Sequence, residues 1–219
     1  MFINGFKRGW ILAVLFVSGT MLSACGNPRS LNENNIVTMD NLDTATFGEG
    51  CFWCTEAVFQ RLEGVIKVVS GYSGGHVKNP TYREVCTGKT GHAEVTQIIY
   101  DPSKITFDEL LEVFWKTHDP TTLNRQGNDV GTQYRSVIFY HNDDQQKLAE
   151  KYKQELDNSG AFRQPIVTRI EKFTDFYPAE NYHQDYYNLN SSAPYCTFVI
   201  EPKLEKFEKV FKNKLKKNN

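Results

Sequence analysis

Thr44-Ala45-Thr46-Phe47-Gly48-Glu49-Gly50-Cys51-Phe52-Trp53-Cys54 opens the region that decides the fold, because a short strand here gives way directly to a helix. Thr44 to Gly48 reads as the strand. Phe52 to Leu62 carries Val58, Phe59 and Leu62 at helical spacing and stops at Gly64. Val65 to Val69 is rich in β-branched residues and predicts a buried strand, closed by Gly71-Tyr72-Ser73-Gly74-Gly75. Val95 to Tyr100 predicts another strand, ended by Asp101-Pro102. Thr106-Phe107-Asp108-Glu109 fits a capping box, and the helix behind it presents Leu110, Leu111, Phe114 and Trp115 on one side. Ser136 to Tyr140 predicts a strand, Asp143 to Leu156 a helix, and Val167 to Phe173 one more strand. Leu204, Phe207, Phe211 and Leu215 form a helical stripe against a lysine-rich, solvated face.

The order β-α-β-β-α-β, then α-β, predicts an α+β sandwich: a ferredoxin-like split βαβ core with an additional helix and strand and long C-terminal loops. Two long polar-aromatic segments, Asp119 to Tyr134 and Thr174 to Tyr195, lie between the elements. Loops of this length in a compact domain usually serve a site.

The 219 residues hold 25 basic and 26 acidic side chains, a balance that argues against a nucleic-acid binder working through bulk charge. A hydrophobic fraction of 40% with 13% aromatics argues against global disorder. No uninterrupted apolar run reaches about 18 residues, which excludes a polytopic membrane protein. At the N-terminus, Lys7 and Arg8 precede the short apolar run Trp10 to Val17, followed by small residues, the pattern of an export signal. Leu22-Ser23-Ala24-Cys25 resembles a bacterial lipobox, with Cys25 as the lipidated first residue of the mature chain. The organisation expected is a signal peptide over 1–24, a flexible tether over 25–43, a catalytic domain over 44–213 and a basic tail over 214–219. One lipid at Cys25 would hold the domain at the cell envelope, outside the cytoplasm, with no other membrane contact.

Cys51 and Cys54 stand three apart where the first strand becomes a helix. A thiol at a helix N-terminus faces unpaired N–H groups and the positive dipole end, which favours thiolate. Two sulfurs one turn apart can also close a disulfide. Half a zinc site would need a second such pair, and Cys86 and Cys196 are isolated. A structural disulfide and a thioredoxin-type redox pair both remain open on spacing alone.

Gly50-Cys51-Phe52-Trp53 followed by Glu56 resembles the signature of the A-type peptide methionine sulfoxide reductases. Gly71-Tyr72-Ser73-Gly74-Gly75, Tyr82 to Gly88, Gly91-His92-Ala93-Glu94 and His118 to Ser136 also resemble that family, in the same order. The similarity runs roughly from Thr44 to Phe211. It implies reduction of methionine S-sulfoxide, peptide-bound and possibly free, in repair of oxidised extracytoplasmic proteins. It implies Cys51 as nucleophile and Glu94 as an acid kept neutral by burial. Tyr82 and Tyr134 would donate to the sulfoxide oxygen, and Asp129 would orient the polar side of the pocket. Phe52 and Trp53 would form an apolar wall for the S-methyl group. His92 and His183 are weaker candidates.

Cys51 would become a sulfenic acid, resolved by Cys54 as a Cys51–Cys54 disulfide, with Cys196 the runner-up. Cys86 is expected to be buried and inert. The resemblance further implies a monomer, no metal or bound cofactor, no nucleic-acid partner, and an external thioredoxin-like dithiol reductant. The alternative is a general extracytoplasmic thiol–disulfide oxidoreductase using the same two cysteines.

Overall fold

The protein's first described strand, β1 (Asp43–Glu49), lies at the centre of a six-stranded sheet in the computed structural model, which describes residues 41–217. The export signal, the lipobox Cys25 and nearly all of the tether lie outside the described residues. Helix α1 (Phe52–Phe59) leads into β2 (Val65–Ser73), and the short α2 (Tyr82–Val85) precedes β3 (Ala93–Tyr100). Then come α3 (Phe107–Thr117), a small hairpin of β4 (Arg125–Gln126) and β5 (Asp129–Val130), and β6 (Ser136–Tyr140). Helix α4 (Asp143–Ser159), β7 (Arg169–Lys172), β8 (Phe176–Pro178), α5 (Tyr186–Leu189) and α6 (Glu201–Val210) complete the chain.

The large sheet runs β7-β6-β1-β3-β2-β8. β1 is antiparallel to both β3 and β6, and β3 is antiparallel to β2, so each βαβ unit has its parallel strands separated by a strand of the other. This is the mixed α+β architecture expected from the order of elements. Period-two alternation sorts each strand onto two faces. Ala45 and Phe47 of β1, Ile98 and Tyr100 of β3 and Ile138 of β6 join the main core with α1 and α3. Ala93, Val95, Val137 and Phe139 form a smaller cluster on the opposite face.

Helix α3 begins as its sequence dictates. The Thr106 hydroxyl accepts from Glu109 N–H, and the Glu109 carboxylate accepts from Thr106 N–H. Helix α1 is buried on nearly every side, so it is a core helix and not an amphipathic one. It ends at Phe59, short of Leu62, which instead makes an isolated antiparallel bridge to Leu215.

Three expectations need correction here. β2 is not buried throughout: Ile66 is 50% exposed, because it sits at a register shift between Val65, which stays in the core, and Lys67. β2 also runs through Gly71 to Ser73, where an edge strand, β8, pairs with it. The stripe from Leu204 to Leu215 is not one helix, since α6 stops at Val210. Glu63 N–H donates to the Lys214 carbonyl, Lys216 N–H donates to the Arg61 carbonyl, and Lys214 pairs with Glu109. These contacts tie the residues after α6 to the turn after α1 and to α3.

Candidate active site

The hand-over from β1 to α1 places Glu49, Cys51, Phe52 and Cys54 at one end of the sheet. Gly50 makes the turn with φ +94°, a left-handed conformation that L side chains rarely adopt. A Cβ there would sit 2.5 Å from Gln126 Cβ, so β4 can close over the turn only because position 50 is glycine. Gly50→Ala should lower the unfolding free energy by about 1–3 kcal/mol and displace the hairpin carrying Asp129. Urea unfolding checks this, and an unaltered midpoint would contradict it.

Cys51 is the N-cap residue of α1, in extended conformation, as expected for a thiol at the head of a helix. Its charge state differs from the expectation. Burial, a hydrogen bond to Cys54 and the nearby Glu94 raise its pKa well above the ordinary thiol value. Cys54 is shifted the other way, to about 7, by the hydrogen bond from Cys51, with the Lys203 ammonium also opposing burial. The resting pair thus keeps its proton on Cys51 and its thiolate character on Cys54. A dipole from one eight-residue helix is a small term beside loss of solvent. Cys51 is 8% exposed, yet together with Cys54 it lines a cavity of about 310 Å³.

Glu94 reaches this turn from β3. Its Oε2 accepts the N–H of Phe52, the residue next to Cys51, at 3.1 Å. The carboxyl is 1% exposed, and burial raises its pKa to about 8 against the opposing Phe52 N–H. It is a neutral acid at pH 7, held within a side chain's reach of the Cys51 thiol.

Phe52 packs against Tyr72, Tyr82 and His183, with His183 5.1 Å away between ring centroids. Trp53 is stacked on Tyr186 at 3.7 Å and nearly parallel. Tyr82 starts α2 and donates its backbone N–H to Glu180 Oε1, while Tyr72 donates its hydroxyl to Glu180 Oε2. Burial raises the pKa of Tyr82 and of Tyr134, and Glu94 adds to the effect at both, so each keeps a hydroxyl proton to donate. Asp129 Oδ2 accepts the Tyr195 hydroxyl at 2.7 Å, and that same hydroxyl lies 4.0 Å from Cys54 Sγ.

The sequence reading names Cys51, Phe52, Trp53, Cys54, Tyr82, Glu94, Asp129 and Tyr134, and the fold gathers them around this one end of the sheet. Cys86 is exposed, contrary to expectation, because it caps the C-terminus of the short surface helix α2. Cys196 is fully buried, and burial raises its pKa. His92 is structural: Nδ1 accepts from Gly75 N–H, which leaves Nε2–H to donate to the Val77 carbonyl. His183 sits within the aromatic cluster, 4.4 Å from Tyr82.

Several site residues escape the sequence reading. Tyr195 bridges Asp129 and Cys54, and Tyr186 backs Trp53. Glu56, named in the sequence only as part of the signature after Trp53, accepts the N–H groups of Asp185 and Tyr186, which pins that loop to α1. The available signal for the loop residues is the length of the Thr174–Tyr195 segment. Glu49 and Lys203, which share the cavity with Cys54, carry no such signal.

Residues 43–215 match the family described as peptide methionine sulfoxide reductase. The chain is 58% identical over 181 residues to peptide methionine sulfoxide reductase MsrA 1 of Rhodopirellula baltica, covering 83% of this chain and 93% of that one. It is 56% identical over 175 residues to the MsrA of Saccharolobus solfataricus, covering 80% and 98%. Among solved structures, reduced Mxr1 of Saccharomyces cerevisiae superposes with a TM-score of 0.66 at 37% identity, covering 73% of this chain and 91% of that one.

Proposed function

The chain belongs to the peptide methionine sulfoxide reductases, enzymes of thiol-dependent methionine (S)-sulfoxide reduction and repair, and we propose that it does this work at the cell envelope through Cys51, Glu94 and Cys54. One observation supports the reading most directly: Glu94, buried so that its pKa is raised, accepts a hydrogen bond from the N–H of the residue beside Cys51.

A sulfoxide sulfur resists attack until its oxygen is protonated. Glu94 Oε2 accepts from Phe52, so its proton rides on Oε1 and passes to the sulfoxide oxygen, with Tyr82 and Tyr134 donating hydrogen bonds to the same atom. Cys51 attacks as its own proton leaves to replace the one Glu94 gave. The sulfoxide sulfur is reduced by two electrons, Cys51 becomes a sulfenic acid, and methionine departs. Phe52 and Trp53 supply the apolar surface for the S-methyl group, and Asp129 orients the polar side through Tyr195. Cys54 then attacks the sulfenic sulfur and water leaves; buried Cys196 is the less suited resolver.

The resulting disulfide is reduced by an external thioredoxin-like dithiol. The enzyme acts as a monomer, held by a lipid on Cys25 and repairing envelope proteins. The basic n-region, short apolar run and Leu22-Ser23-Ala24-Cys25 support that address.

Purified full chain with a small dithiol should convert only the S epimer of a peptide methionine sulfoxide. Equal turnover of both epimers, or of neither, would overturn the assignment. Cys54→Ser should release one equivalent of methionine and then recycle at least about tenfold more slowly with a protein dithiol. Normal recycling would remove Cys54 from the scheme.

A further inference from the structure

Glu49 is a carboxyl group of this site that the scheme above leaves idle. It is 1% exposed, at the end of β1, on the main-core side of the sheet with Ala45 and Phe47. Its Oε2 accepts the Thr117 hydroxyl from α3 at 3.0 Å, while Oε1 is fully buried and has no hydrogen-bond partner. A buried carboxyl with an idle oxygen is costly to keep unless that oxygen has work. Glu49 lines the same cavity as Cys54, facing Lys203 of α6, with Asp129 and Tyr195 also on the wall.

We propose that Glu49 is the proton acceptor for Cys54 when the Cys51–Cys54 bond closes, holding the thiol's proton on Oε1 while the thiolate attacks. The inference rests on Cys54 being the resolving cysteine. The Lys203 ammonium, on the wall of the same cavity, balances the negative charge of the Cys54 thiolate. In the reactive form the proton is on Glu49. The Cys54 sulfur is oxidised as the S–S bond forms; the Cys51 S–O bond breaks, and the departing hydroxide takes the Glu94 proton and leaves as water. The result is a disulfide, protonated Glu49 and ionised Glu94, which regains its proton from solvent.

The placement of the proton is consistent with the acidities of the pair. Burial lifts Glu49 to about 8, against the opposing pull of Lys203 and Thr117, while Cys54 sits at about 7. Shifts in opposite directions, up for the carboxyl and down for the thiol, favour passage of the proton from Cys54 to Glu49.

The test is the lifetime of the Cys51 sulfenic acid in full-length protein. It is treated with a peptide sulfoxide without reductant and timed from the maximum of the sulfenate itself with a sulfenate-specific probe. Native decay should be independent of buffer concentration. In Glu49→Gln, which keeps the shape and the Thr117 contact, decay should slow about tenfold or more. It should also rise with pH and with imidazole concentration, since external bases then take the proton. Glu49→Asp, which keeps a carboxyl on a shorter stem, should recover part of the rate. A structural role would slow decay without creating buffer dependence. Decay in Glu49→Gln at the native rate, or slowed with no response to imidazole, overturns the assignment. Cys54→Ser separates the two readings. A persistent sulfenate there with native decay in Glu49→Gln refutes Glu49 alone, whereas normal decay in Cys54→Ser refutes both.

Discussion

Replacing Cys51 with serine should abolish methionine formation, with kcat/KM falling by at least about 10⁴-fold and no burst in a single turnover. The size of the effect follows from which atom changes oxidation state. Sulfur at position 51 gives up two electrons and takes the substrate's oxygen. A serine hydroxyl would have to form an O–O bond to do the same, and oxygen holds its electrons too tightly. No neighbouring group can stand in, because Cys54 lies one turn further along α1 and Glu94 approaches the helix at Phe52. The structural cost is modest by comparison. Cys51 is 8% exposed, and a hydroxyl there can keep a hydrogen bond to Cys54, so the change in stability should stay near about 1 kcal/mol. Chromatographic separation of peptide sulfoxide from peptide methionine, with thermal melts to verify folding, checks both halves. A residual stoichiometric burst in Cys51→Ser would mean that another thiol attacks the substrate.

The parts of this molecule written in local sequence are legible in it, and the parts that depend on distant partners are not. Helix α3 declares itself because Thr106 and Glu109 satisfy one another's backbone groups within a single turn. The same signature at Thr81 and Glu84 starts α2, but a four-residue helix has too short an apolar pattern to follow. Strand β8 is three residues long and exists because β2 offers it an edge. Gly71, read as part of a closing turn, is the place where Phe176 lies so close that an added Cβ would meet its ring at 2.5 Å. That glycine makes room for a neighbouring strand.

At the site, spacing alone leaves Cys51 and Cys54 as an undecided redox or structural pair. It is the resemblance across several motifs that brings Glu94 to them, since residues 52 and 94 meet only through the fold. The ionisation of Cys51 departs from expectation for the same reason. A helix N-terminus is visible in sequence, whereas the burial that outweighs it is assembled from α1, β3 and the loop at Tyr195. Glu49 stayed silent because one carboxylate between two glycines reads as a turn until Thr117 and Lys203 close around it.

Glu94→Gln should separate catalysis from stability at this site. Glutamine can accept the Phe52 N–H and donate a hydrogen bond, but it has no proton to transfer. Substrate should therefore bind with little change in KM, while kcat falls by about 10²- to 10⁴-fold, the usual contribution of a positioned acid. Native activity should hold below about pH 8 and decline as pH rises through that value, where Glu94 loses its proton. The variant's small residual activity should lack that decline.

Stability should move the other way. Burial raises the native pKa of Glu94 from 4.5 to about 8, so between those values the folded chain keeps a proton that the unfolded chain has released. Folding then becomes less favourable as pH rises, by about 1.4 kcal/mol per pH unit for one such group, and the effect is absent below the unfolded value. Removing the ionisable group removes this loss. Glu94→Gln should match the native protein at pH 4 and exceed it by on the order of a few kcal/mol at pH 8, measured by urea unfolding at both values. Equal stability at pH 8 would mean that Glu94 is solvated and ionised in the folded state, which would disqualify it as the acid. A gain in stability with a loss in kcat is the signature expected of a carboxyl kept neutral for its chemistry, because the fold bears the cost of holding a proton that only the reaction uses.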